Sequence, residues 1–397
     1  MKYTTNYNLK KPEATDLVSI SDLNANFDTI DGLLDVVLKK DGVEFSSWGD
    51  VQRIVRSGFA SKFFSIGDQF VSTKGDKQLV WDIIGIDQDT PADSNYTHSL
   101  TIQMHDCYNS LQFKAPEALY YAATGLVAGT YNFTLLSDYN SAYNGGKTHQ
   151  FTLTKAVPAG GQLMFPCGWY APASTCKVSS YESAKSTTAI ETVGVTEGNG
   201  GTSLGTADGE TTNMNHTYRL RCSFNKWSQS ALRQWLNSDK AAGAWWTAQN
   251  NFDRPPTYAA TTAGFLSDMD SEFLSAIGKV KKRTAKNTVI EGGGYTDSEE
   301  LMFLLSKSEV YACLENNINE GEPYAYYKNN SDLSSASDDA DTNRIKYLNG
   351  SAIYWWLRSP HSGHMTYYVQ VLEPTGRFHG AYNATSTFGV APACCII

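Results

Sequence analysis

Apolar residues near the start of the chain recur at helical intervals. Between residues 20 and 37 they are spaced 3-4-3-4-3, as along the seam of a coiled coil, and they are Ile20, Leu23, Phe27, Ile30, Leu34 and Val37. Ser19 or Ser21 can cap this predicted helix, and the "KKDG" at 39–42 ends it. The same spacing fits a helix packed on its own domain. We favour self-association, because almost nothing apolar precedes the helix to cover it.

The pattern changes after a second predicted helix, Ser47–Arg56, which places Val51, Ile54 and Val55 on one face. Period-two alternation then predicts strands in "FFSIGDQFV", "LVWDIIGID" and "SLTIQMHD". From Leu119 to about Lys177, short β-runs separated by Gly, Pro and Asn indicate a small sandwich or jelly roll. The glycine-rich Thr196–Thr212 is typical of a flexible connector.

The last third of the chain mixes helices and strands. "NKWSQSALRQWLN" and "LSDMDSEFLSAIGKV" have helical spacing, with Ser267 as the expected cap of the second. "ELMFLLSKSEV" predicts a buried strand that runs into a turn. Three β-runs follow in "AIYWWLRSP", "YYVQVLEPTGRF" and "FGVAPACCII", with "EPTG" as a turn inside the second. The expected fold class is therefore α+β.

Composition narrows the classes of function. The 397 residues are enough for two or three domains, and only 18% are charged, while 23 are tyrosine. The net charge of −9 and the lack of a long basic run argue against nucleic-acid binding. No apolar leader and no run of eighteen apolar residues occurs, so we expect neither a signal peptide nor membrane insertion. The protein is expected to be made in the cytoplasm without a signal peptide.

Motifs for chemistry are scarce, so we predict no enzyme and no cofactor. The seven cysteines form no CxxC pair and no even framework, which indicates small buried side chains in a reducing compartment. Asp87, Asp89 and Asp93 in "DQDTPAD" could hold calcium, but an exposed polar turn is the better interpretation. His98 and His105 lie seven positions apart and point to opposite faces of a strand, which argues against a shared metal.

The segment His361–Phe388 differs in composition from the candidate sites above. It is rich in His, Tyr and Phe rings and holds only two charged side chains, Glu373 and Arg377. Tyrosine offers large, stiff contact area, while Ser, Gly and Asn adapt their hydrogen bonds, as in antibody loops. The alternative is a polar surface hairpin without a ligand. That alternative does not explain why so many rings would stay out of a core, so we favour a binding surface.

The order of "NKWSQSALRQWLN", "FLLSKSEV", "YWWLRSP" and "GVAPACCII" resembles the DUF6273 type of C-type-lectin-like domain, found in phages and often diversified by retroelements. The first thirty-odd residues resemble the particle-attaching start of phage tail fibres. The resemblance implies an attachment and oligomerisation segment at 1–60 and a lectin-like domain at 61–397. A β-sandwich-like insertion is expected at about 107–213 and a variable ligand-binding region at 355–397.

The resemblance also implies which side chains contact a ligand, by their place between the two framing motifs. They are His361, His364, Thr366, Tyr367, Tyr368, Gln370, Phe378, His379, Tyr382 and Asn383. The expected scaffold consists of Trp355, Trp356, Leu357, Arg358, Val390 and Pro392. Calcium-dependent lectins carry Glu-Pro-Asn and Trp-Asn-Asp triplets. This chain has Glu373-Pro374-Thr375 and no Trp-Asn-Asp, so no metal is predicted in this region.

The resulting prediction is a receptor-binding protein of a phage tail that recognises a bacterial surface glycan or protein. Its N-terminus would attach to other tail proteins, its location would be the virion, and its expected assembly is a homotrimer. Two alternatives stay open at this point. One is a structural tail or baseplate component, and the other is an enzyme that degrades surface glycans.

Overall fold

The structure of the chain is a computed structural model. The described residues are 2–3, 9–12, 19–39, 47–115, 120–121, 127, 129–134, 148–153, 162–163, 225–249, 255–310, 313–327, 341–363 and 368–397. The architecture is mixed α/β, with few helices and a sheet-rich C-terminal part. The connector predicted at 196–212 and the closing "KDG" of the first helix lie outside the described residues.

The predicted N-terminal helix is confirmed as α1 (Ile20–Lys39). Two short strands, β1 (Lys2–Tyr3) and β2 (Lys10–Lys11), pair before it, and Lys10 forms an ion pair with Asp22 of the helix. The first two turns leave their apolar side chains in solvent, with Ile20 77% and Phe27 64% exposed. The described part of the seam is therefore open to a partner.

Helix α2 (Trp48–Arg56) begins where the sequence predicts it. The Ser47 side chain caps it by accepting the backbone N–H of Asp50, and Val51, Ile54 and Val55 are buried. A short helix α3 (Ala60–Phe63) follows. The Gln52 amide donates to the carbonyl of Ile397 at 2.8 Å, so α2 is tied to the last residue.

A six-stranded antiparallel sheet forms one half of the core, in the order β11-β21-β5-β4-β3 with β14 also paired to β21. Its strands are β3 (Gln69–Lys74), β4 (Lys77–Ile86), β5 (Leu100–Met104), β11 (Ile277–Gly278), β14 (Met302–Phe303) and β21 (Ala393–Ile396). Every residue of β5 and β21 is buried, including Cys394 and Cys395. Of the described cysteines, Cys107, Cys313, Cys394 and Cys395 carry no disulfide, as the sequence predicts.

A second sheet holds the predicted binding region, in the order β19-β18-β17-β20-β6. Its strands are β6 (Asn109–Gln112), β17 (Trp355–Pro360), β18 (Tyr368–Leu372), β19 (Phe378–Asn383) and β20 (Thr387–Val390). Strands β17 and β20 run parallel, and the other pairs are antiparallel. The predicted run "FGVAPACCII" divides at Ala391-Pro392, and its two halves join different sheets as β20 and β21.

Strand β6 corrects the expected start of the insertion. Its residues pair with β20, and Leu111 and Phe113 are buried in the core, so the segment 107–115 belongs to the main fold. Between residues 120 and 163, the described strands form two separate pairs. They are β7 (Tyr120–Tyr121) with β10 (Gln162–Leu163), and β8 (Gly129–Thr134) with β9 (Thr148–Leu153).

Short helices and hairpins complete the described part. They are α4 (Ala231–Leu236), α5 (Ser271–Ala276), α6 (Thr288–Glu291), the pair β12 (Val280–Ala285) with β13 (Tyr295–Glu300), and the pair β15 (Lys346–Leu348) with β16 (Ser351–Ile353). Helix α5 is capped by Asp270, which accepts the N–H of Glu272, so the expected cap Ser267 is wrong. Among the described residues, no helix has both the length and the apolar character needed to cross a bilayer.

Candidate functional site

A cluster of three half-buried rings lies at one end of the second sheet. Tyr354, Tyr382 and Phe388 have ring centroids between 5.1 and 5.5 Å apart. Tyr354 and Phe388 meet Tyr382 edge to face, which is a preferred geometry for aromatic pairs. We call these three residues the ring cluster.

Strand alternation explains why the ring cluster forms here. Tyr354 and Trp356 are two positions apart and so share a face, and Phe388 packs on Trp356 with centroids 4.9 Å apart. The indole of Trp356 is fully buried and donates to the carbonyl of Leu111 at 2.8 Å. Phe388 therefore rests on a fixed base, and Tyr354 and Tyr382 pack on Phe388.

The ring cluster carries hydrogen-bonding groups but no formal charge. A hydrogen bond with Tyr382 raises the pKa of the Tyr354 hydroxyl, so this phenol is neutral at physiological pH. Asn383 and Thr385 follow Tyr382 and bond to each other, with Thr385 Oγ1 donating to Asn383 Oδ1 at 2.9 Å. Such a surface can stack on apolar faces and exchange hydrogen bonds at its edge.

The ten predicted ligand contacts fall in different environments. Tyr368, Phe378, Tyr382 and Asn383 are half-buried on β18 and the edge strand β19, and His361 is half-buried at the end of β17. His379 lies on β19, and His364, Thr366 and Tyr367 lie outside the described residues. Of these positions, only Tyr382 belongs to the ring cluster.

Gln370 differs from the expectation for a ligand contact. Its side chain is buried, with the residue only 3% exposed, and its amide donates to Glu315 Oε2 at 2.6 Å. Alternation along β18 puts Gln370 on the face with Leu372, against the interior. It therefore helps to hold the sheet and is not part of an open surface.

Tyr354 and Phe388 were not among the ligand contacts predicted from the sequence. The signal for Tyr354 was available, because its spacing from Trp356 places it on the same strand face. Phe388 could not be assigned in this way, because its contact with Trp356 depends on the parallel pairing of β17 and β20.

The other end of β17 enters a buried network of charges. Arg358 is fully buried and forms a bidentate ion pair with Glu309. Its guanidinium also donates to the carbonyls of Leu304, Arg283 and Glu320, each at 2.9 Å. All six expected scaffold residues are buried, so "YWWLRSP" and "GVAPA" form interior structure.

A second cation, Lys282, extends this network to the loop before β5. Its ammonium contacts Asp89, Glu309 and the Tyr324 hydroxyl. Burial alone would raise the pKa of Asp89, but the Lys282 ammonium outweighs burial and holds that pKa below its usual range. Asp89 is therefore an ion-pair partner and not part of the exposed turn that the sequence indicates.

The neighbouring aspartates are engaged separately, Asp87 with His98 and Asp93 with the backbone N–H of Asn95. In the part of the chain that the structure describes, no three His, Cys, Asp or Glu side chains are grouped to hold a metal ion.

A polar cleft of about 430 Å³ opens above this network. Asp89, Lys282, Glu309 and Glu320 line it from below. In this floor Lys282 pairs with Asp89 and Glu309, so these three charged side chains already bond to one another. Glu320 is distinct, because burial raises its pKa to about 7, while Arg358 and the hydrogen bond from Ser359 act in the opposite direction.

The C-terminal part of the chain matches one known protein family. Residues 204–397 match the family described as a domain of unknown function, DUF6273. No curated protein and no solved structure matches the chain. The matched residues end with β17–β21, but β5 and β6, which pair with β21 and β20, lie outside the match. The folded unit therefore includes strands from before the matched region.

Proposed function

We propose that this chain is a receptor-binding protein of a phage tail, and that it recognises a bacterial surface ligand through its C-terminal sheet. The observation that carries the proposal is the ring cluster, which presents Tyr354, Tyr382 and Phe388 half-exposed on a fixed base. Aromatic side chains in such positions supply contact area with little loss of rotamer freedom on binding. A bacterial surface glycan or protein is the ligand class that we propose.

The proposal includes a C-type-lectin-like fold for residues 61–397. It is supported by the pairing of the terminal strand β21 with the early strand β5, which closes the domain on itself. It is also supported by the second sheet, in which the described side chains of the edge strand β19 and Tyr368 at the start of β18 are half-buried while β17 is fully buried. On this view β18 and β19 carry positions that differ between related copies, and the buried strands stay constant.

Attachment and assembly belong to the same proposal. The apolar side chains at the start of α1 are exposed at heptad spacing, a pattern that fits the seam of a trimeric coiled coil. Three copies on one particle would engage a cell together, and avidity would multiply weak single contacts. The N-terminal segment would then join the fibre to other tail proteins in the virion.

Adsorption of the purified protein to host cells tests the proposal. We expect Tyr382→Ala and the double variant Tyr354→Ala with Tyr382→Ala to reduce cell binding at least tenfold, because truncating a ring at a binding centre costs ~2 kcal/mol and ~1.4 kcal/mol is already tenfold. Tyr96→Ala is the matched control, since Tyr96 is a half-buried tyrosine in the loop before β5. Folding is checked by the unfolding midpoint of each variant.

Unchanged adsorption by folded ring-cluster variants would overturn the proposal and favour a structural tail or baseplate component. A test at the DNA level separates the two further. A near-copy of the tail segment beside a reverse-transcriptase gene, differing at adenines, supports a diversified binding surface. Release of sugars from host polysaccharide by the protein would instead indicate a glycan-degrading enzyme.

A further inference from the structure

We propose that Asn225, Asn287 and Glu315 are positioning residues that fix the start and end of the loop joining β17 to β18. The fixed points, which we call the loop base, are His361, Ser362, Gly363 and Tyr368. The three positioning residues act on main-chain atoms of the loop base. The value of this arrangement for ligand binding rests on the proposed function, but the arrangement itself does not.

The two asparagines are buried, and their side-chain amides donate to carbonyls of the loop base. Asn225 Nδ2 lies 3.2 Å from the carbonyl oxygen of His361 and 2.9 Å from that of Tyr368. Asn287 Nδ2 lies 2.8 Å from the same His361 oxygen and 2.6 Å from that of Gly363. One amide therefore joins both ends of the loop, and the other secures its start.

Glu315 holds the loop base from the opposite chemical side, as an acceptor. Its Oε1 accepts the backbone N–H of Ser362 at 2.9 Å and the Ser362 hydroxyl at 2.8 Å. Its Oε2 accepts from the Lys307 ammonium at 3.1 Å and from Gln370. Burial would lower the pKa of Lys307, but Glu315 and Cys313 together act against burial and raise it, so the ammonium stays protonated.

Backbone hydrogen bonds complete the attachment. The N–H of His361 donates to the carbonyl of Tyr368 at 2.8 Å, and the N–H of Thr288 donates to the carbonyl of Ser362 at 2.7 Å. The loop base is therefore fastened to three segments that are distant in sequence, namely those around residues 225, 287 and 315.

The positioning residues bond to main-chain atoms, so side chains of the loop base can be replaced without removing these bonds. A peptide carbonyl or N–H is present whatever side chain its residue carries, so replacement of His361 or Tyr368 leaves these acceptors in place. Ser362 is the exception, because its hydroxyl also bonds to Glu315. The side chains at 361 and 368 can then change without release of the loop base, as a surface adapted to different ligands requires.

Hydrogen–deuterium exchange resolved to single amides tests the proposal without any ligand. In Asn287→Ala and Asn225→Ala, we expect the amides of His361 and Ser362 to exchange about tenfold faster than in the native chain. The loop base then loses the asparagine hydrogen bonds to its carbonyls and opens more often, which exposes these N–H groups. In His361→Ala and Tyr368→Ala, the Ser362 amide should stay within about twofold of its native rate. The Val371 amide on β18 serves as the internal reference in every variant.

Asn237→Ala is the matched control, because Asn237 Nδ2 also donates to two carbonyls, those of Arg233 and Met302, both at 2.9 Å. It should leave exchange at 361 and 362 unchanged. Should Asn225→Ala fail to fold, Asn287→Ser provides a milder loss of the same contacts. Native-like protection in the asparagine variants would overturn the proposal, and so would equal deprotection in His361→Ala.

Adsorption measured on the same variants separates this proposal from the proposed function. Faster exchange together with weaker adsorption supports both. Faster exchange with unchanged adsorption supports the positioning role and counts against the loop as a ligand contact.

Discussion

The two ends of strand β17 adjoin opposite environments, one the half-exposed surface and the other the buried interior. Just before the strand, Tyr354 joins Tyr382 and Phe388 in a half-exposed cluster without charge. Four residues on, Arg358 is fully buried and contacts Glu309 and three carbonyls. The comparison teaches that the charge at the inner end of β17 is held by fixed partners, while the surface proposed for binding carries uncharged rings.

The physical reason lies in the cost of burying an ion. A buried guanidinium is tolerated only when its donors are paired, so the Arg358 end of the strand tolerates little change. Rings that rest on Trp356 lose less when one of them is truncated, because solvent can take up the space. A single strand can thus be rigid at one end and open to substitution at the other.

The largest expected effect is at Arg358. Arg358→Met should lower the free energy of unfolding by about 4 kcal/mol, because Glu309 is left as a buried carboxylate with one fewer cation. Chemical denaturation of purified protein measures this loss. It would be the clearest sign that the interior end of β17 depends on its charges.

Arg283→Met provides the matched control for that measurement. Arg283 also makes a two-bond ion pair, with Asp297, but the two side chains are 40% and 57% exposed. Removal of this surface pair should cost about 1 kcal/mol or less. If the two substitutions cost the same, burial is not what distinguishes the Arg358 pair, and the comparison breaks down.

The next largest effect is the pH dependence of stability that Glu320 causes. Its carboxyl group is buried, and its Oε1 accepts the backbone N–H of Ala285 at 2.9 Å. Burial raises the pKa of Glu320 from 4.5 to about 7. A raised carboxyl pKa means that the folded state holds a proton which the unfolded state releases above pH 4.5. The stability that this proton provides is therefore complete below pH 4.5 and is lost as the pH rises to about 7.

Glu320→Gln should remove this dependence, because the amide keeps the shape and can donate to Ser359. Relative to the variant, the native chain should lose about 3 kcal/mol of unfolding free energy between the two pKa values. Denaturation midpoints at pH 5 and pH 7.5 give the comparison. Parallel pH profiles for both proteins would show that Glu320 is not protonated in the folded state near neutral pH.

The sequence was most informative where structure is set locally. Helix α2 with its Ser47 cap and the turn at Glu373–Gly376 follow from short-range patterns. Gly376 has a φ of +77°, and a Cβ there would lie 2.1 Å from the carbonyl oxygen of Asp341, so only glycine fits. Asp270 caps helix α5 in place of the predicted Ser267, which lies three residues earlier in the same polar run.

Long-range contacts were beyond such patterns. Glu309 and Arg358 are 49 positions apart, and Asn225 and Tyr368 are 143 apart. No periodicity marks these residues, because buried polar side chains look like surface residues in a sequence. Gln370 shows the same difficulty. Glutamine is polar, so the sequence indicated an exposed side chain, but a hydrogen bond to Glu315 holds it in the interior.

The smallest effect on stability is expected at α1, where apolar side chains are neither buried nor paired with charge. Phe27→Asp should leave the unfolding free energy of the sheet domain unchanged, because Phe27 is 64% exposed, but it should dissociate a trimer in sedimentation experiments. Ala25→Asp is the control, since this exposed position adds the same charge on the side of the helix away from the seam. Dissociation by Phe27→Asp alone would assign the exposed seam to self-association. A native chain that sediments as a monomer would contradict the proposed assembly, and avidity could then not compensate for weak contacts at the ring cluster.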